Sequence, residues 1–416
     1  MSGIPGTSTT TDTSNIPAAG RDAIQGDGII HEIQWSDALP WWLLFRAAGA
    51  AFSSAVILLA ALGALAVWGG WSLADRLGIP AAGEVVVELV EPAGLAGKEA
   101  GSEAQAGRKP RATSGGLLPL TNQSPIFAFT RSLPQPAADL LRLVAVPFNP
   151  AAGLSQMLGA LARIGWFVAV WSIFGTAIAR HVALRLAGEE VPGFTASLWY
   201  GSQKWLSAFN AVAFVLLGIV ALSLPGALLG LLMRTDIGLA IAGVVWPLVL
   251  IGSILLAILA VGVVAGWPLM VGGVGVERGD SFQAISTAFS YLYQRPLHYI
   301  FYLLVALAVA LPTLAAAELF ATAATNLALW ATSLGMGHAR TAEVLAGLET
   351  AGSGGGGPLG SQALGFWSRV VGAIVGSFGW GYFWAIATAA YLLLRRDVDG
   401  TELDEVVVEQ LPGESG

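Results

Sequence analysis

Few residues in this chain could do chemistry, and none stands in a familiar constellation. The four histidines are His31, His181, His298 and His338. None pairs with another, or with a carboxylate, at the spacing a zinc site needs. HExxH, GxSxG and GxxxxGK[ST] are missing, so no metalloprotease helix, nucleophile elbow or phosphate loop is in view. His181 and His298 fall at joints between apolar runs, where contact with water or headgroups accounts for a histidine without a catalytic role. Asp397, Asp399 and Glu405 invite a calcium reading. Gly400 is the fourth residue from Asp397, however, and an EF-hand loop needs glycine at the sixth. A solvated acidic tail is the simpler account of them. Glu318, Asn326 and Arg163 read as boundary anchors rather than as a transport path. No cofactor or metal is expected.

The elements that must carry these residues are apolar. Hydrophobic residues make up 55% of the 416 positions and charged ones 11%, far less charge than a water-exposed surface uses. Mean hydropathy is +0.69. The net charge of −7 offers no basic patch for nucleic acid. There is no cysteine, hence no disulfide or thiolate chemistry. About forty mostly polar residues precede the first apolar run, so that run is expected to serve as its own uncleaved signal.

Hydropathy predicts an all-α fold, a polytopic transmembrane helical bundle with about six spans. They are placed at 43–70, 158–179, 206–233, within 237–270, from 297 towards 329, and at 366–394. The run 237–276 has forty residues without Asp, Glu, Lys or Arg. As a helix it would reach about 60 Å, twice the hydrocarbon core of about 30 Å. It lacks a polar turn, so it predicts one long span, bent at Pro247 or Pro268. The domain reading is a disordered N-terminus (1–34), a first transmembrane helix (35–71) and a long extracytoplasmic loop (72–155). A five-helix bundle (156–394) follows, with a Gly-rich loop at 335–365 and an acidic tail at 395–416. A short β-like run stands at 84–91. Arg180, Arg185, Lys204, Arg278, Arg295, Arg395 and Arg396 collect on one side of the short loops. The positive-inside rule then puts both termini in the cytoplasm.

One stretch is sharply amphipathic. In 279–302, Phe282, Ile285, Phe289 and Leu292 share a helical face, while Gln283, Ser286, Thr287, Ser290 and Gln294 occupy the opposite one. Asp280 is placed to cap this helix, with Gln283 reaching back to it. Arg295 and Pro296 end or kink it. Tyr291, Tyr293, His298, Tyr299 and Tyr302 crowd the water boundary, as in a helix lying in the interface or packed on its neighbours. A weaker copy runs from 188 to 209, where Gln203 and Lys204 match Gln294 and Arg295. Either the copies are a parallel repeat, or any interfacial joint selects such residues. Asp280, Phe282, Ile285, Phe289, Tyr291, Gln294, Arg295, Gln203 and Lys204 are the candidate joint residues.

The segments FQAISTAFSYLYQRPLHYIFY and YLLLRRDVDGTELDEV resemble a group of bacterial multi-pass membrane proteins without an established activity. A fainter likeness is to the membrane domains of bacterial glycerophosphodiester phosphodiesterases, whose catalytic domain has no counterpart in this chain. The resemblance implies a bacterial inner membrane and a topology. The expected role is a non-enzymatic structural or assembly subunit, with lipid bilayer, other membrane proteins or a second copy as partners. The alternative is a carrier of a lipid or apolar solute.

Overall fold

The computed structural model describes residues 39–79, 140, 143–144, 146–148, 152–352 and 359–401. All elements below belong to the unit Trp41–Gly416. They are helices α1 (Trp42–Ala51), α2 (Ser54–Arg76), α3 (Leu154–Ala187), α4 (Phe194–Leu232), α5 (Asp236–Glu277), α6 (Ser281–Gln294), α7 (Pro296–Gly352) and α8 (Leu359–Asp399), with one 3-10 turn at Val146–Phe148. Among the described residues there is no strand; the run at 84–91 and the segment 1–34 lie outside them.

Six of these helices, α2, α3, α4, α5, α7 and α8, are long and apolar enough to cross a membrane. That marks the chain as a membrane protein and its fold as an all-α bundle. The long apolar run is one helix: α5 has 42 residues and contains both Pro247 and Pro268. A proline removes one N–H and crowds the preceding turn, but does not supply the polar turn that a hairpin in hydrocarbon would need.

Three boundaries differ from the sequence reading. The first span is broken at Phe52 and Ser53, where the Ser53 hydroxyl accepts from Val56 N and starts α2 afresh. That helix then runs on to Arg76. The stretch read as a Gly-rich loop, 335–365, is largely helical, with only 353–358 outside the described residues. Ala, Leu, Arg and Glu between Gly337 and Gly352 favour helix strongly enough to outweigh scattered glycines. The break there is a single residue, Gly337, at φ 72°. Around it Leu329, Trp330, Met336, Val344 and Leu345 line a cavity of about 180 Å³. Finally, α8 continues through Arg395 and Arg396 to Asp399, five residues into the stretch read as tail.

The buried core is unevenly placed. It takes α1, the first half of α2, most of α3, the first half of α4, and α5 from Gly262 to Val276. From α8 it takes Ser377 to Leu394. Its centre is aromatic. Trp171 and Trp384 are fully buried, with ring centres 5.9 Å apart, and Trp267 meets Trp384 edge-on at 5.3 Å. The indole nitrogens of all three, and the hydroxyls of Ser172 and Thr176, have no hydrogen-bond partner among the described residues. Each such group costs about 1–3 kcal/mol, so packing must offset them. By contrast, the far halves of α4 and α5 expose Leu217, Leu224, Leu228, Ile237, Val244, Leu248 and Ile251. In water this hairpin would be untenable; hydrocarbon removes the penalty.

Small residues let the core helices approach. A methyl group at Gly201 would overlap the carbonyl oxygen of Ile173, and one at Gly275 would press on Ala179. The GxxxG pair Gly262/Gly266 receives Phe289 and Ala288, whereas Gly226, Gly230, Gly372 and Gly376 have nothing within 4 Å. The contrast is testable. Gly201→Ala should lower stability by about 1–3 kcal/mol through overpacking. Gly218→Ala, into open space, should be neutral or stabilise by up to about 1 kcal/mol. Unfolding of each variant by SDS titration in mixed micelles measures the difference.

Candidate functional site

Polar side chains gather where α5 ends. The last four carbonyls of a helix lack partners inside it, and here they lie among buried residues. Val274 O accepts from Arg278 N at 3.2 Å and from the Tyr200 hydroxyl at 2.6 Å. Val276 O accepts from Arg180 Nη1 at 3.5 Å, and Arg278 O from Lys204 Nζ at 2.8 Å. Arg180 is 5% exposed. Its guanidinium and that of Arg278 lie 5.3 and 5.7 Å from the centre of the Tyr200 ring. Cations at a helix C-terminus also oppose the negative end of its dipole. Arg278 takes φ 60°, the only positive φ among the described non-glycine residues. That conformation costs about 1–2 kcal/mol for a side-chain-bearing residue. It turns the chain into α6 while keeping the Arg278 carbonyl within reach of Lys204.

A second layer adjoins this one. The Glu277 carboxylate accepts from the Tyr391 hydroxyl at 2.6 Å and from the Gln283 amide at 2.9 Å. It also pairs with Arg395 Nε at 3.2 Å, the two side chains being only 16% and 13% exposed. Asp399 accepts from the Tyr291 hydroxyl, and Asp397 from the Tyr302 hydroxyl at 2.7 Å. The rings of Tyr291 and Tyr391 meet at 5.5 Å. Four helices, α5, α6, α7 and α8, are thus tied by carboxylate–phenol bonds and one ion pair. Burial raises the Tyr291 phenol pKa furthest; the hydrogen bond to Asp399 and the charges of Asp399 and Glu277 raise it more, against a small opposing effect of Tyr391. It therefore stays a neutral donor. Each named carboxylate accepts from a phenol on another helix, so the arrangement ties helices together.

The sequence-predicted residues divide into three groups. Asp280, Tyr291 and Lys204 are bonded into the structure, Asp280 as the cap of α6 with Gln283 N donating at 2.8 Å. Gln283 does not complete the box; its amide goes to Glu277 instead. Phe282, Ile285 and Phe289 are the apolar face, but α6 buries its small face, Ser281, Ala284 and Ala288, with Tyr291 and Leu292. Phe282 is 69% exposed, stacked on Phe214 at 5.1 Å, while Phe289 covers Gly262. Thus α6 packs on protein by one face and leaves much of the other available to lipid. Gln294 bonds only locally, to Ser290. Arg295 closes α6, and Gln203 is exposed. The two copies differ: 194–209 continues straight into α4, while the second breaks at Arg295 before Pro296.

Glu277, Tyr391, Arg395, Asp397 and Asp399 were missed. Their signal was present: Tyr391, Arg395 and Asp399 recur every fourth residue, one face of a helix carried past the basic pair. The sequence reading places Arg395, Asp397 and Asp399 in a solvated tail behind a basic pair and gives Glu277 and Tyr391 no role. Arg163 is buried, bonded to Asp75 at 2.6 Å and to Ile79 O at 2.8 Å. Glu318, Asn326, His298 and His338 are exposed. Among the described residues no three His, Asp or Glu side chains could hold a metal ion.

Removing one partner of the buried pair, as in Arg395→Ala, should destabilise the fold by about 3–5 kcal/mol. Tyr291→Phe, which takes a donor from the exposed Asp399, should cost about 0.5–1.5 kcal/mol, whereas the exposed Gln203→Ala should change stability by less than about 0.5 kcal/mol. Alkaline titration adds a signed test. Tyr291 is harder to ionise folded than unfolded, so its contribution is complete below the ordinary tyrosine value of 10.0 and declines as pH rises above it. Detergent unfolding curves of Tyr291→Phe should therefore fall less steeply with alkaline pH than those of the wild type.

Comparison of the chain with protein-family models, with curated proteins and with solved structures gave no match. Its function is read from its own geometry.

Proposed function

We propose that this protein is a structural or assembly subunit of a bacterial inner membrane, with both chain ends on the cytoplasmic side. The observation that carries this is the contrast between its two regions. One is a core whose helix ends are closed by satisfied polar bonds. The other is the α4–α5 hairpin, apolar on nearly every face and left uncovered by the other described helices. A rigid body presenting such a hairpin suits contact with lipid, with further membrane proteins or with a second copy. The orientation rests on Arg180, Lys204, Arg278, Arg395 and Arg396, which share the end of the bundle where α5 and α8 finish. A carrier would need a passage between α3–α4 and α5–α7. Close glycine contacts occupy α3–α4 and α3–α5, and Tyr299 bonds across α5–α7 to Ala265 O at 2.7 Å.

The absence of native cysteine allows a direct test. Single cysteines at Leu217, Leu228, Val244 and Ile251, labelled in native membranes with a lipid-soluble maleimide, report what covers the hairpin. An assembly subunit should show one protected stripe, together with a native-gel mass well above that of one chain. Uniform labelling of a monodisperse monomer would sink the proposal.

A further inference from the structure

The break in the first span holds a pair of residues that the polar network above does not use. Ser53 Oγ lies 3.3 Å from His181 Nε2, 128 residues away in sequence. His181 Nδ1 lies 3.1 Å from Pro192 O. A carbonyl oxygen only accepts, so Nδ1 carries the proton and Nε2 presents its lone pair to the Ser53 hydroxyl. Ser197 Oγ, 3.4 Å from Nδ1, donates its own proton to Gly193 O and leaves that tautomer undisturbed. His181 is only 4% exposed, so its ring is held in place. This is a serine, a base and a group that orients the base, in hydrogen-bonding order.

The backbone adds the remaining part. Ser53 is the N-cap of α2, with Val56 N 3.4 Å from its Oγ. The two preceding amides, of Ser54 and Ala55, occupy first-turn positions that have no partner within a helix. They can donate to a negative oxygen formed beside Oγ. The break opens at Ser54, which is exposed, and at Phe52, which is 46% exposed and packs on Phe378 at 4.8 Å. Leu58, one turn along, is 49% exposed. Those neighbours suit an acyl chain.

We propose that Ser53 and His181 form a nucleophile–base pair that hydrolyses an apolar carboxylic ester, an activity beyond the scaffold role. Ser53 Oγ attacks the ester carbonyl carbon as its proton passes to His181 Nε2. The carbon–oxygen bond to the alcohol breaks, and the alcohol oxygen takes that proton from Nε2. Water then attacks the acyl-Ser53 ester, its proton passing through Nε2 back to Ser53 Oγ. The sum is ester plus water giving acid plus alcohol, with no redox change.

The competing account is that Ser53 only caps α2. Ser53→Asn separates the two, because asparagine caps as well as serine but cannot attack. Full-length protein in mild detergent is treated with a fluorophosphonate probe, the labelled peptide is identified by mass spectrometry, and p-nitrophenyl butyrate and decanoate are assayed alongside. Wild type should be labelled at Ser53 and should hydrolyse the decanoate faster. Ser53→Asn should keep its helicity and lose both signals. His181→Gln should slow labelling by at least about 100-fold. Folded wild type that is unlabelled at Ser53, labelling at an unchanged rate in His181→Gln, or labelling without hydrolysis of either ester would each overturn the proposal. Ser53→Ala and Ser53→Asp stand in should the asparagine variant fail to fold.

Discussion

The carbonyl end of α5 is the constraint on which the rest of the structure depends. A 42-residue apolar helix brings its C-terminal turn into the protein interior, where water cannot satisfy the last carbonyls. Arg180 from α3, and Tyr200 and Lys204 from α4, supply the donors. Those helices must therefore run close together, and glycine at 201 admits α3 to α4 as glycine at 275 admits α3 to α5. The tight packing of α3, α4 and α5 follows from the need to end one helix in a dry place.

The same reasoning extends to α8. Glu277, the last residue of α5, would be a costly charge at 16% exposure without partners. Arg395, Tyr391 and Gln283 answer it from two other helices. Carrying α8 on to Asp399 then gives Tyr291 and Tyr302 their acceptors. The segments 290–302 and 391–400 thus meet through the bonds of Tyr291 to Asp399 and of Tyr302 to Asp397.

The sequence made the spans legible because hydropathy is a one-dimensional property: forty residues without a charge must be helix in hydrocarbon, whatever surrounds them. The Asp280 cap was legible for a similar reason, since capping depends on three consecutive residues. Pairings between distant residues were not. The fourfold spacing of Tyr391, Arg395 and Asp399 signals a helix, but nothing local names the partner of Asp399, a tyrosine 108 residues earlier. The buried face of α6 was concealed because its large apolar residues dominate any periodicity count, while Ala284 and Ala288 make the closest approach. The segment at 335–365 was misjudged because its glycines were counted without the helix-forming residues between them.

In a chain this apolar, polar side chains persist only where something requires them, and two sets behave differently. Around Glu277 each carboxylate accepts at least one hydrogen bond from another helix, so the set ties the bundle together. Around His181 the bonding is lopsided: Nδ1 lies against Pro192 O, while Nε2 faces the Ser53 hydroxyl. Breaking the first span at Ser53 gives up backbone hydrogen bonds that an unbroken helix would keep. That local sacrifice, placed directly against the buried histidine, separates the break at Ser53 from the closed network at the end of α5.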